Sequence, residues 1–256
     1  MKKISPESLI KKLIPVFYQA GAQSIKCSKK LKIHIKEDGT PVSNGDLEVD
    51  AIIQSFIKKI TPNIEIVSEE TIQKTRNKTR DTFWLIDPID GTSSYIKGGS
   101  EYTINVGLII KKKAVAGIVY APKKKRLFYS YGKNKSYEIY NKKKKIKLDC
   151  TRKLNREKIA LTNSSNPSLT IKKILNKHKI NKFVSMRSSL KFCMIANNTF
   201  DLYAAKARAR EWDYAAGHAV AEGAGAIIRN HQNKPITYGK KGFKNPSLLV
   251  RRNSKI

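Results

Sequence analysis

The chain has 256 residues, 40% of them hydrophobic, with 52 basic residues against 20 acidic ones and a formal charge of +32. That length suits one large domain or two small ones, with enough apolar content for a core. No apolar run approaches the ~18 residues of a membrane-spanning helix, so none is expected.

The basic start, Met1-Lys2-Lys3-Ile4-Ser5-Pro6, is not followed by the apolar stretch of a secretion signal. Ser5-Pro6-Glu7 reads as a helix start, with an N-cap, a first-position proline and an acid in the first turn. The spacing of Leu9, Leu13, Phe17, Ala20 and Ile25 predicts an amphipathic helix to about Cys27, kinked at Pro15. Glu37-Asp38-Gly39-Thr40-Pro41 is a turn. Ser43 then caps a second helix with Asp46 in capping-box position, and Val49, Ile52, Ile53, Phe56 and Ile60 form its apolar stripe. Strands are predicted over 64–67, 83–86, 103–110, 114–120 and 127–131, the last three as an antiparallel meander, with another over 142–148. The polar stretch 149–152 is the boundary candidate, dividing an α+β metal-binding part, 1–150, from an α/β substrate-binding part, 151–256, within one compact unit. In the second part strands over 158–162, 183–186, 200–204, 226–229 and 248–250 alternate with helices over 169–178, 189–196 and 213–223. Such alternation indicates α/β layering.

Lysine runs at 111–113, 123–126 (with Arg126) and 142–145 fall between strands and read as solvated loops. The sharper alternative is a field that draws in phosphorylated substrates, or peripheral adhesion to an anionic membrane surface. Nucleic-acid readers interleave aromatics with such charge. Tyr129, Tyr131, Tyr137 and Tyr140 lie nearby but alternate as strand residues do, so no specific nucleic-acid partner is expected. Cys27, Cys150 and Cys193 are widely spaced, which fits reduced thiols in the cytoplasm.

The scarce acids carry the chemistry. In Trp84-Leu85-Ile86-Asp87-Pro88-Ile89-Asp90-Gly91-Thr92 a buried strand is expected to end at Asp87, because Pro88 cannot continue a ladder. Asp87 and Asp90 can then face one spot, with the Ile89 carbonyl as a further oxygen. The Gly91 and Thr92 amides, if they open a helix, form a nest for phosphate, and the Thr92 hydroxyl can orient a water. Glu69 lies at another expected strand end, and Asp213, behind Trp212, at a helix start. A lone Asp-Gly turn, a solvated Glu-Glu pair and an N-cap acid are each ordinary. Their recurrence at strand ends and helix starts is what a hard-cation site requires.

The set Glu69-Glu70, Asp87 to Thr92 and Trp212-Asp213-Tyr214-Ala215-Ala216-Gly217 resembles the inositol monophosphatase-like superfamily of Mg-dependent, lithium-sensitive phosphatases. The likeness runs from Asp38-Gly39-Thr40-Pro41-Val42 to Asn245-Pro246. Within it, Ser188-Ser189-Leu190-Lys191-Phe192-Cys193 is similar to the CysQ-type 3'(2'),5'-bisphosphate nucleotidase branch. The resemblance implies a layered αβαβα sandwich. It implies two or three Mg2+ ions on Glu69, Asp87, the Ile89 carbonyl, Asp90 and Asp213. Thr92 with Asp46 would orient and deprotonate the attacking water, with Glu69 also catalytic. The Gly91 and Thr92 amides would bind the phosphate to be removed, with Glu69, Ile89, Asp90 and Asp213 also against the substrate. Ser188 and Lys191 would contact a second phosphate or the ribose. The implied reaction is hydrolysis of the 3'-phosphate of adenosine 3',5'-bisphosphate to AMP. The implied setting is the cytoplasm or the cytoplasmic face of the inner membrane, in a monomer or homodimer.

Three departures fall in the substrate-reading region. Ser93-Ser94 replaces a Lys-Glu pair, and Thr162-Asn163-Ser164-Ser165 replaces a Ser-Arg-Ser-His string. An arginine ahead of the Trp-Asp helix has no match, leaving Lys206, Arg208 or Arg210 to substitute. An inositol or sugar monophosphatase is the alternative within enzymes. A non-catalytic basic binding module is the alternative outside them. His34, His178, His218 and His231 lack zinc spacing, and Cys193 reads as core.

Overall fold

The computed structural model describes residues 5–37, 39–72 and 81–256. The basic start 1–4 and Asp38 of the expected turn lie outside the described residues.

Two long helices come first. α1 (Pro6–Ser28) is capped by the Ser5 side chain and continues as one helix through Pro15. α2 (Asn44–Ile60) begins with the predicted capping box, in which Ser43 and Asp46 satisfy each other's backbone donors. Between them β1 (Ile33–Ile35) and β2 (Pro41–Ser43) form an antiparallel hairpin.

The first sheet follows in chain order: β3 (Glu65–Ser68), β4 (Thr82–Asp90), β5 (Thr103–Ile110), β6 (Lys113–Ala121), β7 (Arg126–Ser130), β8 (Ser136–Tyr140) and β9 (Lys144–Lys147). The β3–β4 pair is parallel and the rest are antiparallel. β8 was not predicted as a strand of its own, although its tyrosine alternation is real: Tyr137 lies opposite Tyr129, and the two rings stack at 5.3 Å. A short α3 (Thr92–Ile96) links β4 to β5.

The second sheet has the order β11-β10-β12-β14-β13 and is mixed. It comprises β10 (Ile159–Thr162), β11 (Lys182–Ser185), β12 (Leu202–Ala205), β13 (Ile227–Arg229) and β14 (Leu248–Arg251). Its helices are α4 (Leu169–Lys177), α5 (Leu190–Ala196) and α6 (Glu211–Gly223).

Alternation along the strands sorts the core into layers. Trp84, Ile86, Ile104, Val106, Leu108 and Ile118 face α1 and α2, whose Leu13, Phe17, Val49 and Ile53 are fully buried against them. Phe83, Leu85, Val119 and Phe128 face the other way, onto α5, α6 and the second sheet. α4 covers the outer face of that sheet through Ile171 and Leu175, against Ala160 and Leu202. The result is the αβαβα sandwich. Among the described residues no helix is long and apolar enough to cross a membrane.

One contact sets the middle layer. Gly107 and Gly117 are partners across β5 and β6, and α6 rests on both. A Cβ on Gly107 would come within 2.7 Å of the Ala215 side chain, and one on Gly117 within 2.7 Å of the Ala216 carbonyl. Only glycines allow the helix to lie this close to the sheet.

Candidate active site

The parallel β3–β4 pair brings two carboxylates together. Ser68 is opposite Ile86, and the Glu69 amide donates to the Ile86 carbonyl at 3.1 Å, so Glu69 leaves the sheet beside Asp87. β4 does not end at Asp87, as the proline rule suggested. Pairing resumes at Asp90, opposite Thr103, with a register shift after the Asp87–Asn105 pair. Three steps on β4 oppose two on β5, and the absent Pro88 donor falls inside this bulge.

The third carboxylate comes from α6. This helix starts at Glu211, two residues earlier than expected, and Asp213 is its third residue. One Asp213 oxygen accepts from the Arg210 amide at 2.8 Å, so the capping role is real. It does not exclude a second role. Carboxylate oxygens of Glu69, Asp87 and Asp213 all lie within 4.8 Å of one another. Asp90 sits beside them, its Oδ2 held by the Ser189 amide at 2.5 Å and the Ser189 hydroxyl at 2.8 Å.

Such crowding is costly without a counter-charge. Burial, then the Asp213 charge, pushes Glu69 up to about 8. Burial and Asp90 push Asp213 up to about 7, and burial with the surrounding acids raises Asp87 well above its usual range. Asp87 Oδ1 is buried with no hydrogen-bond partner. An all-oxygen donor set, mutually repelling and partly unpaired, fits a hard divalent cation.

Cations border the same spot. Lys36 lies 3.7 Å from Glu69 and 2.8 Å from Glu70. The Lys191 ammonium is buried and donates to the Ser188 carbonyl at 2.7 Å and the Met186 carbonyl at 3.2 Å. Burial lowers Lys191 to about 8 although Asp90 opposes the shift. Of the three candidate substitutes for the missing arginine, Arg210 is tied to the Gly242 carbonyl at 2.8 Å. Arg208 is exposed, and its charge acts on Lys191, Asp90 and Asp213. Lys206 is exposed as well.

Gly91 joins the acids to α3. Its φ of 92° is left-handed, and a Cβ there would meet the Glu101 carbonyl at 2.8 Å, so glycine is required twice over. The Thr92 hydroxyl donates to the Ile89 carbonyl at 3.0 Å, while Asp46 accepts from the Ser43 hydroxyl at 2.5 Å. Ser188, also left-handed at φ 58°, is buried near Gly91. His218 lies on α6 away from this cluster, bonded to the Tyr238 hydroxyl at 2.8 Å, and Cys193 is fully buried core. Sequence reasoning passed over Ser189, although it sits inside the string that suggested the nucleotidase branch. It also passed over Asn105 and Thr103, polar exceptions in the apolar run of β5.

A layered sandwich whose carboxylates converge from the end of β3, the bulged β4 and the start of α6 has the donor set of a divalent-cation protein. The sequence model of the inositol monophosphatase family matches residues 7–254, and the chain belongs to that family. It is 32% identical over 226 residues to the 3'(2'),5'-bisphosphate nucleotidase CysQ of Escherichia coli strain K12, covering 87% of this chain and 90% of that one. The fold is similar to that of crystalline CysQ from Bacteroides thetaiotaomicron, with a TM-score of 0.75, 24% identity, and 95% and 97% of the two chains covered. It is also similar to an IMPase/NADP phosphatase complexed with Mg2+ and phosphate, with a TM-score of 0.79, 18% identity, and 97% and 92% covered.

Proposed function

We propose that the protein is a Mg2+-dependent phosphatase that hydrolyses the 3'-phosphate of adenosine 3',5'-bisphosphate to AMP, clearing a by-product of sulfate activation. The supporting observation is the convergence of Glu69, Asp87 and Asp213 in a chain so similar, over most of its length, to a bisphosphate nucleotidase. Glu69, Asp87, Asp90, Asp213 and the Ile89 carbonyl hold two or three Mg2+ ions. When bound, these ions neutralise charge on the phosphoryl group and make water a stronger nucleophile at neutral pH.

The chain's own groups do the rest. Thr92 and Asp46 orient the attacking water and take its proton, with Glu69 beside them. The Gly91 and Thr92 amides hold the phosphate at the opening of α3. In-line displacement then needs little beyond positioning. Ser188 and Lys191 border the second phosphate or the ribose. Lys191 keeps the left-handed Ser188 in place through its carbonyl, and Arg208 is the exposed cation at that end.

The test is phosphate release with Mg2+ from adenosine 3',5'-bisphosphate and from inositol 1-phosphate, each with and without lithium. Preference for the nucleotide, suppressed by lithium, is expected. Preference for inositol 1-phosphate would keep the cation site and replace the substrate, a reading that the Lys191 string opposes and the Ser93-Ser94 departure leaves open. Silence on both substrates would remove the proposal.

A further inference from the structure

β5 is an apolar strand, Thr-Ile-Asn-Val-Gly-Leu-Ile-Ile, with a polar side chain at Thr103 and Asn105. Asparagine is disfavoured in strands, and a buried amide without partners costs free energy. Both residues are buried, Thr103 at 0% and Asn105 at 1% exposure. Yet Thr103 Oγ1, Asn105 Oδ1 and Asn105 Nδ2 have no hydrogen-bond partner among the described residues, and neither has Asp87 Oδ1.

Their register explains where they point. Asn105 is opposite Asp87, and Thr103 is opposite Asp90. Ile104, Val106 and Leu108 fill the core beneath α1 and α2. By alternation Thr103 and Asn105 share the other face with Gly107, which touches Ala215 of α6, two residues past Asp213. Four unpartnered polar atoms therefore stand on one face, next to the carboxylate cluster. Unpaired buried groups in a folded protein call for a ligand or an ordered water.

We propose that Asn105, supported by Thr103, is a positioning residue of the cation site. Once a cation is held, the Asn105 amide N–H, unpaired in this structure, would donate to the Asp87 carboxylate and fix its orientation. The Asn105 Oδ1 and the Thr103 hydroxyl, both unpaired, would be free to accept from water held at the site. Mg2+ keeps several of its waters, so acceptors beyond the direct ligands matter to it. The inference rests on the proposed function only in that the carboxylates hold a divalent cation. The substrate does not enter.

Calorimetric titration of the metal-free full-length protein with Mg2+ and with Mn2+ tests this, alongside its thermal midpoint before metal is added. Asn105→Leu replaces the amide with an apolar group of similar size. The expected result is a metal-free protein as stable as the wild type or more so, with cation affinity reduced about 10- to 100-fold. Thr103→Val should reduce affinity less, and Asn105→Ser should restore part of the loss. An Asn105→Leu protein that is less stable but binds cation as the wild type does would make Asn105 structural and overturn the inference. Should Asn105→Leu fail to fold, Thr103→Val decides, and unchanged affinity there overturns it equally. A wild type that binds neither cation would instead remove the reading on which the inference rests.

Discussion

The two sheets give the site unlike halves. The first sheet supplies Glu69, Asp87 and Asp90 from neighbouring strands, with Asp87 buried and one of its oxygens lacking a donor. The second part supplies Ser188, Ser189, Lys191 and Arg208, whose groups are donors or cations. Asp213 joins the two, capped by its own helix and facing the acids. The first half gathers like charges and leaves one Asp87 oxygen unpaired. The second is already satisfied internally, apart from Arg208 at the surface. On the proposed function, one half would bind metal through its own charge repulsion, while the other would read charge on a ligand through a preset framework.

Substitutions can break this division. Asp90→Asn keeps the shape and removes a charge where the halves meet, so turnover should fall about 10³-fold with folding retained. Turnover like the wild type, with an unchanged circular dichroism spectrum, would dissolve the acidic half as a functional unit. A second change leaves both halves alone. His218 lies deeper on α6, and burial lowers it to about 4 from 6.5. The unfolded chain takes up this proton first, so stability is full above pH 6.5 and is lost as pH falls toward 4. Between pH 7 and pH 5 the loss from this residue is about 2 kcal/mol. Urea unfolding of the wild type and His218→Gln should differ by that slope, the site acids contributing alike to both. An equal slope in both would remove His218 as the titrating group, and the raised site acids could not replace it, because their contribution grows as pH falls. The smallest effect sharpens the reading half: Arg208→Ala should raise KM for adenosine 3',5'-bisphosphate about tenfold, roughly 1.4 kcal/mol, and leave kcat unchanged. The same rise with 3'-AMP, which lacks the second phosphate, would assign Arg208 to the acidic half instead.

Much of this was readable from the chain alone. β5 was placed residue for residue, because a run of β-branched and apolar residues between turn signals has few other solutions. The capping box at Ser43 announced α2. The acids of Asp87 to Thr92 and Asp213 were found as candidates because their spacing is peculiar. The bulge at Pro88 was not foreseen, since proline forbids a ladder bond but says nothing of an extra residue that lets the ladder resume. β8 escaped because a strand near a sheet edge, half apolar and rich in lysine nearby, shows its period only against a partner. Asn105 escaped for the opposite reason: a pattern of apolar residues absorbs its exceptions. Which cation near Asp213 stands free was a matter of three dimensions, decided by the Arg210 bond to Gly242.

The paired glycines beneath α6 extend this division to cation size. Asp213 rides on a helix whose height above the sheet is set by Gly107 and Gly117. Adding one methyl group at either position must lift the helix or displace its neighbours, and Asp213 moves with it relative to Asp87. The span between the carboxylates is thereby held by two residues that carry no carboxylate, and on the proposed function they would set the choice between a small ion such as Mg2+ and a larger one such as Ca2+.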